Sequence, residues 1–356
     1  MAYITLNRDK LRKNYAYLNS VFNDHDIQWS IVTKMLCGND LFLKEVLDLG
    51  IKQVSDSRVT NLKHIKKIDD SIETVYIKPP SKRYISSIVE FADISLNTEI
   101  ETIKLLSAAA KKQNKTHQII IMIELGELRE GIMRENIVEF YSKIFELENI
   151  RVVGIGTNLT CLNGVLPNQD KLIQLGLYKQ LIELKFGKKI PYVSGGSSVT
   201  IPLVLDGILP KDVNHFRVGE TLFLGTDVYH NTPYDNMEHE VFSFYSRIIE
   251  LHEKPLVPSG KMGANVSGET HKVDESHLGE RSFRAIIDLG MLDVDENHIT
   301  PKDESIEIIG GSSDMFVLDL KDNNKNYKVG DLIEFSTDYV GTLRLMNSKY
   351  IIKEVV

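Results

Sequence analysis

The regular spacing of short, β-branched apolar runs is the feature that most restricts how this chain can fold. Amphipathic stretches accompany the runs; in the one that precedes the first run, Leu11, Tyr15, Leu18 and Phe22 recur at helical spacing. Strands that alternate with helices are typical of a parallel sheet, and eight of them predict a closed (β/α)8 TIM-type barrel. An open doubly wound sheet is the alternative, although no G-x-G-x-x-G follows the first run. The eight runs are WSIVTK (29–34), KQVSD (52–56), TVYIK (74–78), ADISL (92–96), QIIIMIEL (118–125), RVVGIGT (151–157), PYVSGG (191–196) and HFRVG (215–219).

The texture of the sequence changes after about residue 237. Helical periodicity gives way to strand-like runs and turn signals, among them VFSFYSRIIEL, IEIIGG, MFVLDL and KYIIKEVV. The sequence therefore predicts an α/β chain of two domains. A (β/α)8 barrel is expected over residues 1–235, and a smaller β-rich C-terminal domain over residues 236–356.

Charge and cysteine content restrict the partners and the compartment. The 50 acidic and 42 basic residues give a formal net charge of -8 without a long basic run, which favours a small-molecule substrate or ligand over nucleic acid. Cys37 and Cys161 are too few for a disulfide framework or a Cys-rich metal site. No apolar run is long enough to cross a bilayer, and the N-terminus becomes charged before a signal-like core accumulates. We therefore expect a cytoplasmic protein with reduced thiols and no membrane partner.

Polar side chains follow the ends of several runs. In a barrel of this kind the chemistry lies at the carboxyl ends of the strands, where the loops share one rim and the strand bodies are packed. Residues expected at that rim are Lys34, Arg129, Asn158, Gly195, Gly196, Ser197, Ser198 and Arg217.

The SGGSSVT segment after the seventh run predicts an anion site. Glycines allow the backbone to approach a ligand closely, and a serine at the start of a helix adds a hydroxyl to the helix N-terminus. A second small-residue turn begins at Gly219, and the loops after strands seven and eight are the usual phosphate site of this fold. The alternative is that the segment is only a turn and a helix cap.

Lys34 ends the first run, where an unpaired buried ammonium would be costly. It is therefore either a charge at the rim or chemically occupied. A phosphate site on one side and a lysine on the other favour pyridoxal 5'-phosphate as the cofactor, held by the lysine as a Schiff base.

The sequence resembles the fold-type III pyridoxal-phosphate enzymes, and most of all the alanine/ornithine racemase family, over essentially its whole length. The resemblance implies that Lys34 in VTKMLCGN is the Schiff-base lysine. It implies that Arg129 in GELREGI lies near the phenolic oxygen of the cofactor and the substrate carboxylate. Arg217 in FRVGE corresponds to the arginine that bonds the pyridine nitrogen. A guanidinium keeps its proton, so the ring would be a weak electron sink, which suits removal and return of one α-proton.

Further site residues follow from the same resemblance. Asn158 in GTNLT stands where a histidine usually packs on the cofactor, and Tyr339 in STDYVG corresponds to a tyrosine that reaches the phosphate. The SSDM segment (312–315), with Ser313 and Asp314, corresponds to a partner-subunit loop that faces the substrate. The resemblance therefore implies a homodimer with shared active sites. The remaining phosphate-binding positions implied are Ser197, Ser198, Gly219 and Glu220.

The sequence departs from the alanine racemase pattern at two further places. Cys37 stands about where alanine racemases have a tyrosine, so one phosphate contact is lost. The segment PSGKMGANVSGE (258–269) lacks the tyrosine that serves the face opposite the lysine. Two-base racemisation needs an acid/base group on each side of the carbanion. The candidates for the second group are Cys37, His271, His277, Ser313 and Asp314. Both histidines lie in a polar stretch that is predicted to be a solvent-exposed loop.

The function implied is a pyridoxal-phosphate-dependent amino-acid racemase with Lys34 as one acid/base. Its substrate would be ornithine or another basic amino acid, or alanine. A cationic substrate would suit acidic residues near the strand ends, although such residues are usually only solvated. The alternatives are a non-catalytic pyridoxal-phosphate-binding protein and a decarboxylase of the same fold type, although no Glu-Pro-Gly-Arg stretch of the decarboxylase kind is present. The acidic residues near strand ends are Asp56, Glu124, Glu127, Glu130 and Glu220.

Overall fold

A computed structural model describes residues 2–264, 268, 270 and 274–356. The chain forms two compact units, one made of residues 8–239 and the other of residues 1–7 with 240–356. Within the described part of the chain, no helix combines the length and apolarity needed to cross a membrane.

The larger unit alternates strands and helices along the chain. A short strand, β1 (Tyr3–Leu6), precedes this unit in the chain and belongs to the other one. The elements of the larger unit are α1 (Arg8–Asn23), β2 (Gln28–Val32), α2 (Asp40–Leu47), β3 (Gln53–Asp56), α3 (Val59–Ile68), β4 (Glu73–Tyr76), α4 (Ile85–Phe91), β5 (Ile94–Asn97), α5 (Ile100–Lys112), β6 (His117–Met122), α6 (Ile137–Phe145), β7 (Ile150–Gly156), α7 (Gln169–Phe186), β8 (Tyr192–Ser194), β9 (Gly196–Ser197), α8 (Ile201–Leu205), β10 (His215–Val218) and α9 (Glu220–Leu224). A small hairpin of β11 (Thr226–Asp227) and β12 (Thr232–Pro233) follows.

The strands of this unit form one parallel sheet in the order β8-β7-β6-β5-β4-β3-β2-β10-β9. Since only Gly195 separates β8 from β9, the two belong to one extended segment, and this segment pairs with β7 at its start and with β10 at its end. The sheet therefore closes on itself. The predicted barrel is confirmed, and all eight apolar runs form strands.

Sequence features set the limits of the helices. Asn39 and Asn168 cap α2 and α7 by accepting from the N–H groups of Phe42 (3.1 Å) and Lys171 (2.9 Å). Gly187 ends α7 in the left-handed conformation that glycine tolerates best. In α1 the buried side chains include Leu11, Leu18 and Phe22, which are on the predicted apolar face.

The barrel core is built from strands that carry β-branched and long apolar residues. One cluster consists of Val75, Ile94, Leu96, Ile120, Met122 and Val153, from β4 to β7. Close approach also requires glycine: a Cβ at Gly196 would lie 2.2 Å from the Phe216 ring. Close packing of these buried side chains fixes the positions of the strand ends, which carry the polar residues described below.

The smaller unit is a mostly antiparallel sheet with the strand order β15-β18-β13-β14-β17-β16, and β1 pairs with both β13 and β19. The β-rich C-terminal domain predicted from the sequence is confirmed as a fold class. Its elements are β13 (Phe242–Pro255), β14 (Arg281–Ile287), β15 (Ile299–Pro301), β16 (Glu307–Gly311), β17 (Phe316–Asp319), β18 (Leu332–Thr337), α10 (Tyr339–Asn347) and β19 (Ile352–Val355).

The N-terminal segment differs from its sequence-based assignment to the barrel. Residues 1–7 belong to the β unit, where β1 runs antiparallel to β13 and parallel to β19. Ile4 and Leu6 are fully buried, and Tyr3 stacks on Tyr245 with 4.9 Å between ring centroids. A four-residue strand has no periodicity that identifies its partner, so only tertiary pairing decides where it lies.

Candidate active site

Lys34 begins a single 3-10 turn, Lys34–Leu36, directly after β2. The turn is fixed by Thr33, whose N–H donates to the Ser55 carbonyl oxygen (2.9 Å) and whose Oγ1 donates to Asp56 Oδ2 (2.9 Å). The Lys34 side chain is exposed, as expected for a residue at the rim. Cys37 ends the turn in the left-handed conformation with φ of 51°. The predicted rim position of the lysine is thus produced by a short turn locked to the neighbouring strand.

Asp56 connects this turn to the next helix. Its carboxylate is fully buried and accepts from the backbone N–H of Arg58 (2.8 Å) and from Asn61 Nδ2 (3.2 Å) as well as from Thr33. Burial raises the pKa of Asp56, although these hydrogen bonds counteract part of that effect. Asp56 is therefore not a solvated acidic residue. It acts as a buried hydrogen-bond acceptor behind the lysine turn.

Arg217 lies in β10 and is almost completely buried. Its Nη1 donates to Asn158 Oδ1 (2.9 Å), and its Nη2 donates to the Thr157 carbonyl oxygen (2.7 Å). Burial, with a contribution from the charge of Arg129, lowers the pKa of Arg217 to about 10, which leaves the group protonated at neutral pH. Its Nε is buried and has no hydrogen-bond partner among the residues that the structure describes. An unsatisfied buried donor of this kind suits a ligand acceptor.

Asn158 and Glu130 extend this arrangement to Arg129. Asn158 Nδ2 donates to Glu130 Oε1, and Arg129 donates from Nε and Nη2 to both oxygens of the same carboxylate, the Nη2 bond being 2.6 Å. Burial acts to raise the pKa of Glu130, but the bonds from Arg129 and Asn158 more than offset it, so the pKa is lowered. The bond to Glu130 raises the pKa of Arg129. The side chains of Arg129, Glu130, Asn158 and Arg217 form one continuous network, called the arginine network below.

The two serines after β8 organise a turn. Ser197 and Thr200 form a reciprocal cap, in which Ser197 N–H donates to Thr200 Oγ1 (3.3 Å). Ser198 Oγ accepts from the backbone N–H of Thr221 (3.3 Å) and so joins this turn to the start of α9. The segment therefore forms a turn and a helix cap, as the alternative interpretation of the sequence predicted. The cap does not exclude anion binding, because the backbone of this turn lies at the end of the strand segment.

Gly219 follows β10, precedes α9 and lies next to the end of β2. A Cβ there would lie 3.0 Å from the Val32 carbonyl oxygen. The start of α9, with Glu220, is thereby held beside the segment that leads into Lys34. The structure brings the predicted rim residues of the barrel unit to the carboxyl ends of β2, β7, β9 and β10 and the loop after β6.

The remaining predicted residues lie in the β unit. Tyr339 begins α10, after Asp338, which caps this helix by accepting from the N–H of Gly341 (2.7 Å). Ser313 and Asp314 occupy the exposed turn between β16 and β17, and Ser313 Oγ donates to Asp314 Oδ2 (3.0 Å). The Leu292 N–H donates to the Ser313 carbonyl oxygen (3.0 Å), which fixes the turn within its own unit.

The candidates for the second face have different surroundings. Cys37 is half-buried, and His277 is an exposed residue whose pKa is raised by its hydrogen bond to Glu280 (2.8 Å). His271 lies outside the described residues, as does part of the segment 258–269. An exposed histidine paired with a surface carboxylate fits the solvated reading made from the sequence.

Two carboxylates of the loop after β6 have structural roles that sequence patterns did not reveal. Glu127 is 1% exposed and accepts backbone N–H bonds from Thr160 (3.1 Å), Leu162, Asn163 (2.9 Å) and Val165 (3.0 Å). Glu130 joins the arginine network. Charged residues after a strand are expected to face solvent. The backbone donors that bind Glu127 and the Asn158 side chain that binds Glu130 lie at least 28 residues away in sequence, so local patterns do not reveal these bonds.

Comparison with known proteins defines the class to which this fold and rim belong. The family model described as "Alanine racemase, N-terminal domain" matches residues 6–227, which is more than half of the chain. The chain therefore belongs to the alanine racemase family, and the resemblance drawn from the sequence is confirmed.

Individual relatives make the comparison more specific. The chain is 36% identical to an ornithine racemase of Acetoanaerobium sticklandii over 354 residues, which is 99% of each protein. It is 31% identical to a lysine racemase of Thermotoga maritima, covering 98% of this chain and 97% of that protein. Among solved structures, an alanine racemase from Bartonella henselae with covalently bound pyridoxal phosphate matches with a TM-score of 0.72 at 16% identity, over 100% of this chain and 99% of that one. This last likeness establishes a shared fold.

Proposed function

We propose that this chain is a pyridoxal-phosphate-dependent racemase that interconverts the L and D forms of a basic amino acid, ornithine or lysine. The chain is an amino-acid racemase by its full-length similarity to the ornithine and lysine racemases. That similarity is the observation that carries the proposal, because it extends over both units of the chain.

The arginine network provides the test of whether the residues fit the cofactor. A pyridine nitrogen is an acceptor, and the buried Nε of Arg217 is a donor without a partner among the described residues. Two hydrogen bonds hold the same guanidinium in place, so its direction is fixed. The residues present therefore fit pyridoxal phosphate. Those proposed to hold it are Lys34, Asn158, Ser197, Ser198, Arg217, Gly219, Glu220 and Tyr339.

The bound cofactor would supply an electron-withdrawing ring that makes the α-proton of the substrate acidic. Arg217 would donate a hydrogen bond to the ring nitrogen and keep its own proton, which limits how strongly the ring withdraws electrons. Lys34 would hold the cofactor covalently and then remove or return the α-proton on one face. Arg129 would bind the substrate carboxylate, for which its guanidinium is a matching bidentate donor.

The second face and the substrate side chain involve the β unit in this proposal. Ser313 and Asp314 would face the substrate from the partner subunit, with Asp314 close to the cationic end. We propose a homodimer in which each barrel is completed by the β unit of the partner. The group that serves the second face is proposed to be one of Cys37, His271, His277, Ser313 and Asp314. Location in the cytoplasm stays a prediction from the sequence.

The decisive experiment follows proton exchange and optical activity together. The purified protein is incubated in deuterium oxide with pyridoxal phosphate and, separately, L-ornithine, L-lysine and L-alanine. We expect exchange of the α-proton with loss of optical rotation for ornithine or lysine, and neither change for the Lys34→Ala variant. Mass spectrometry after borohydride reduction should find the cofactor on Lys34 of the wild-type protein.

The controls separate the alternatives. Lys44→Ala changes another lysine on the barrel unit and should leave exchange unaltered. Exchange without loss of rotation would show that only the lysine face works. Release of carbon dioxide would identify a decarboxylase, and bound cofactor without exchange of any amino acid would contradict the racemase proposal.

A further inference from the structure

We propose that Glu130 is a positioning residue that fixes Arg129 for the substrate carboxylate and couples it, through Asn158, to Arg217. This inference rests on the proposed function, since it assigns Arg129 to the carboxylate of an amino acid. The observation behind it is the arginine network, in which a single carboxylate accepts from Arg129 at two nitrogens and from Asn158 at a third.

The pairing uses one particular edge of the guanidinium. Glu130 accepts from Nε and Nη2 of Arg129, and neither of these bonds involves Nη1. A guanidinium has five N–H donors in a fixed plane, so holding its Nε edge determines where Nη1 and the outer N–H of Nη2 are directed. Glu130 therefore orients Arg129 without taking up every donor that a second carboxylate would need.

The surroundings distinguish this pair from a surface salt bridge. The side chain of Glu130 is only 13% exposed, while that of Arg129 is 36% exposed. The carboxylate thus forms the buried end of the pair, and the guanidinium faces the accessible side. Exposed ion pairs contribute little because solvent screens them, whereas a buried, bidentate partner restricts the geometry of its arginine strongly.

The charge of the network also suits an anionic group. Arg129 and Arg217 bring two positive charges, and Glu130 brings one negative charge, so the network has one net positive charge. Glu130 is the acceptor that joins Arg129 to Asn158, so its replacement by a neutral residue would remove the negative charge between the two guanidinium groups. The orientation of Arg129 would be lost, and its mobility would weaken the binding of carboxylates specifically.

The test uses two parts of ornithine as ligands of the holoenzyme. δ-Aminovalerate is ornithine without its α-amino group and keeps the carboxylate; putrescine is ornithine without its carboxyl group. Isothermal titration calorimetry compares the wild-type protein with Glu130→Gln. We expect δ-aminovalerate to bind the variant about tenfold more weakly, which is the effect of losing one charge-assisted hydrogen bond between Arg129 and the ligand carboxylate. Putrescine has no carboxylate and should bind within about twofold of wild type. The KM for ornithine should rise more than kcat falls.

Two further variants make the result specific. Glu130→Asp keeps the charge but shortens the side chain, and should weaken δ-aminovalerate binding in the same direction by less. Glu135→Gln alters an exposed carboxylate of the following turn and should leave both affinities unchanged. The inference would be overturned if Glu130→Gln bound both ligands equally more weakly, or bound both as wild type does. It would also be overturned if the wild-type protein did not bind δ-aminovalerate. If the affinities change as expected but the protein racemises no amino acid, the role of Glu130 is supported and the proposed function is contradicted.

Discussion

Single buried polar residues hold much of the candidate site in place. His215, at the start of β10, is fully buried and is bonded through Nδ1 to Ser194 Oγ (2.7 Å) and through Nε2 to Gln53 Oε1 (2.8 Å). Burial, with the nearby charge of Arg217, lowers the pKa of His215 to about 3. The imidazole thus remains neutral in the fold over the physiological range, and it joins β10 to β8 and β3.

This depressed pKa predicts a pH dependence of stability. Since the unfolded histidine has its ordinary pKa of 6.5, the unfolded state binds a proton first as the pH falls. The contribution of His215 is fully present above pH 6.5 and is lost progressively towards pH 3. We expect the difference in unfolding free energy between pH 7 and pH 5 to be about 2 kcal/mol smaller in His215→Gln than in wild type, measured by urea denaturation.

The matched control for this prediction is His25→Gln. His25 is an exposed residue just after α1, and its Nδ1 lies 2.8 Å from the Val21 carbonyl oxygen. Since it does not join strands of the barrel, its replacement should leave the pH dependence as in wild type. If His215→Gln and wild type lose stability equally on acidification, His215 does not stay neutral in the folded protein.

At the scale of elements, loops after the strands depend on contacts that are distant in sequence. The loop after β7 is held by Glu127 from the loop after β6, through four backbone N–H groups. Burial acts to raise the pKa of Glu127, and these four bonds more than offset it, so the pKa is lowered. The same loop carries Cys161, whose thiol contributes to raising the pKa of Arg129. One carboxylate therefore shapes part of the rim next to the arginine network.

We predict that Glu127→Gln loosens this loop. The amide can accept at one oxygen only and turns an NH2 group towards backbone donors, and each unsatisfied buried group costs about 1–3 kcal/mol. Hydrogen exchange followed by mass spectrometry should show faster exchange over residues 160–165 and little change in the strands. Glu146→Gln, at an exposed carboxylate after α6, serves as the control. Unaltered exchange in the loop would mean that Glu127 is not what orders it.

At the scale of the whole molecule, shared active sites can be tested by mixing two inactive variants. Lys34→Ala disables the barrel unit. Asp314→Arg places a cation in the β-unit turn proposed to meet a cationic substrate. In a mixed dimer with shared sites, one site has both changes and the other has neither. A random mixture should then recover about a quarter of the wild-type activity, because half of its dimers are mixed.

Sedimentation of the same samples checks that dimers form and exchange. If mixing restores no activity although mixed dimers are present, each site is built from one chain alone. An Asp314→Arg protein with normal activity would contradict the assignment of this turn to the substrate.

The sequence by itself determined the class of fold. The period of the apolar runs is a local property of the chain, so eight strands, their helices and the change to β structure after residue 237 were readable from it, and the rim positions of Lys34, Asn158, Ser197 and Arg217 followed from where strands end. Short motifs in a fixed order identified the family, which the full-length relatives confirm.

Only the tertiary structure decided which residues act together. Contacts between segments far apart in sequence pair β1 with β13 and β19 and bury Asp56 and Glu127. The bonds of Glu130 to Arg129 and Asn158 depend in addition on the direction of each side chain, which periodicity does not encode. A carboxylate after a strand has the same local sequence signal whether it faces water or a guanidinium. The packing of the strands sets which of the two it meets, and with it the chemistry that the residue can perform.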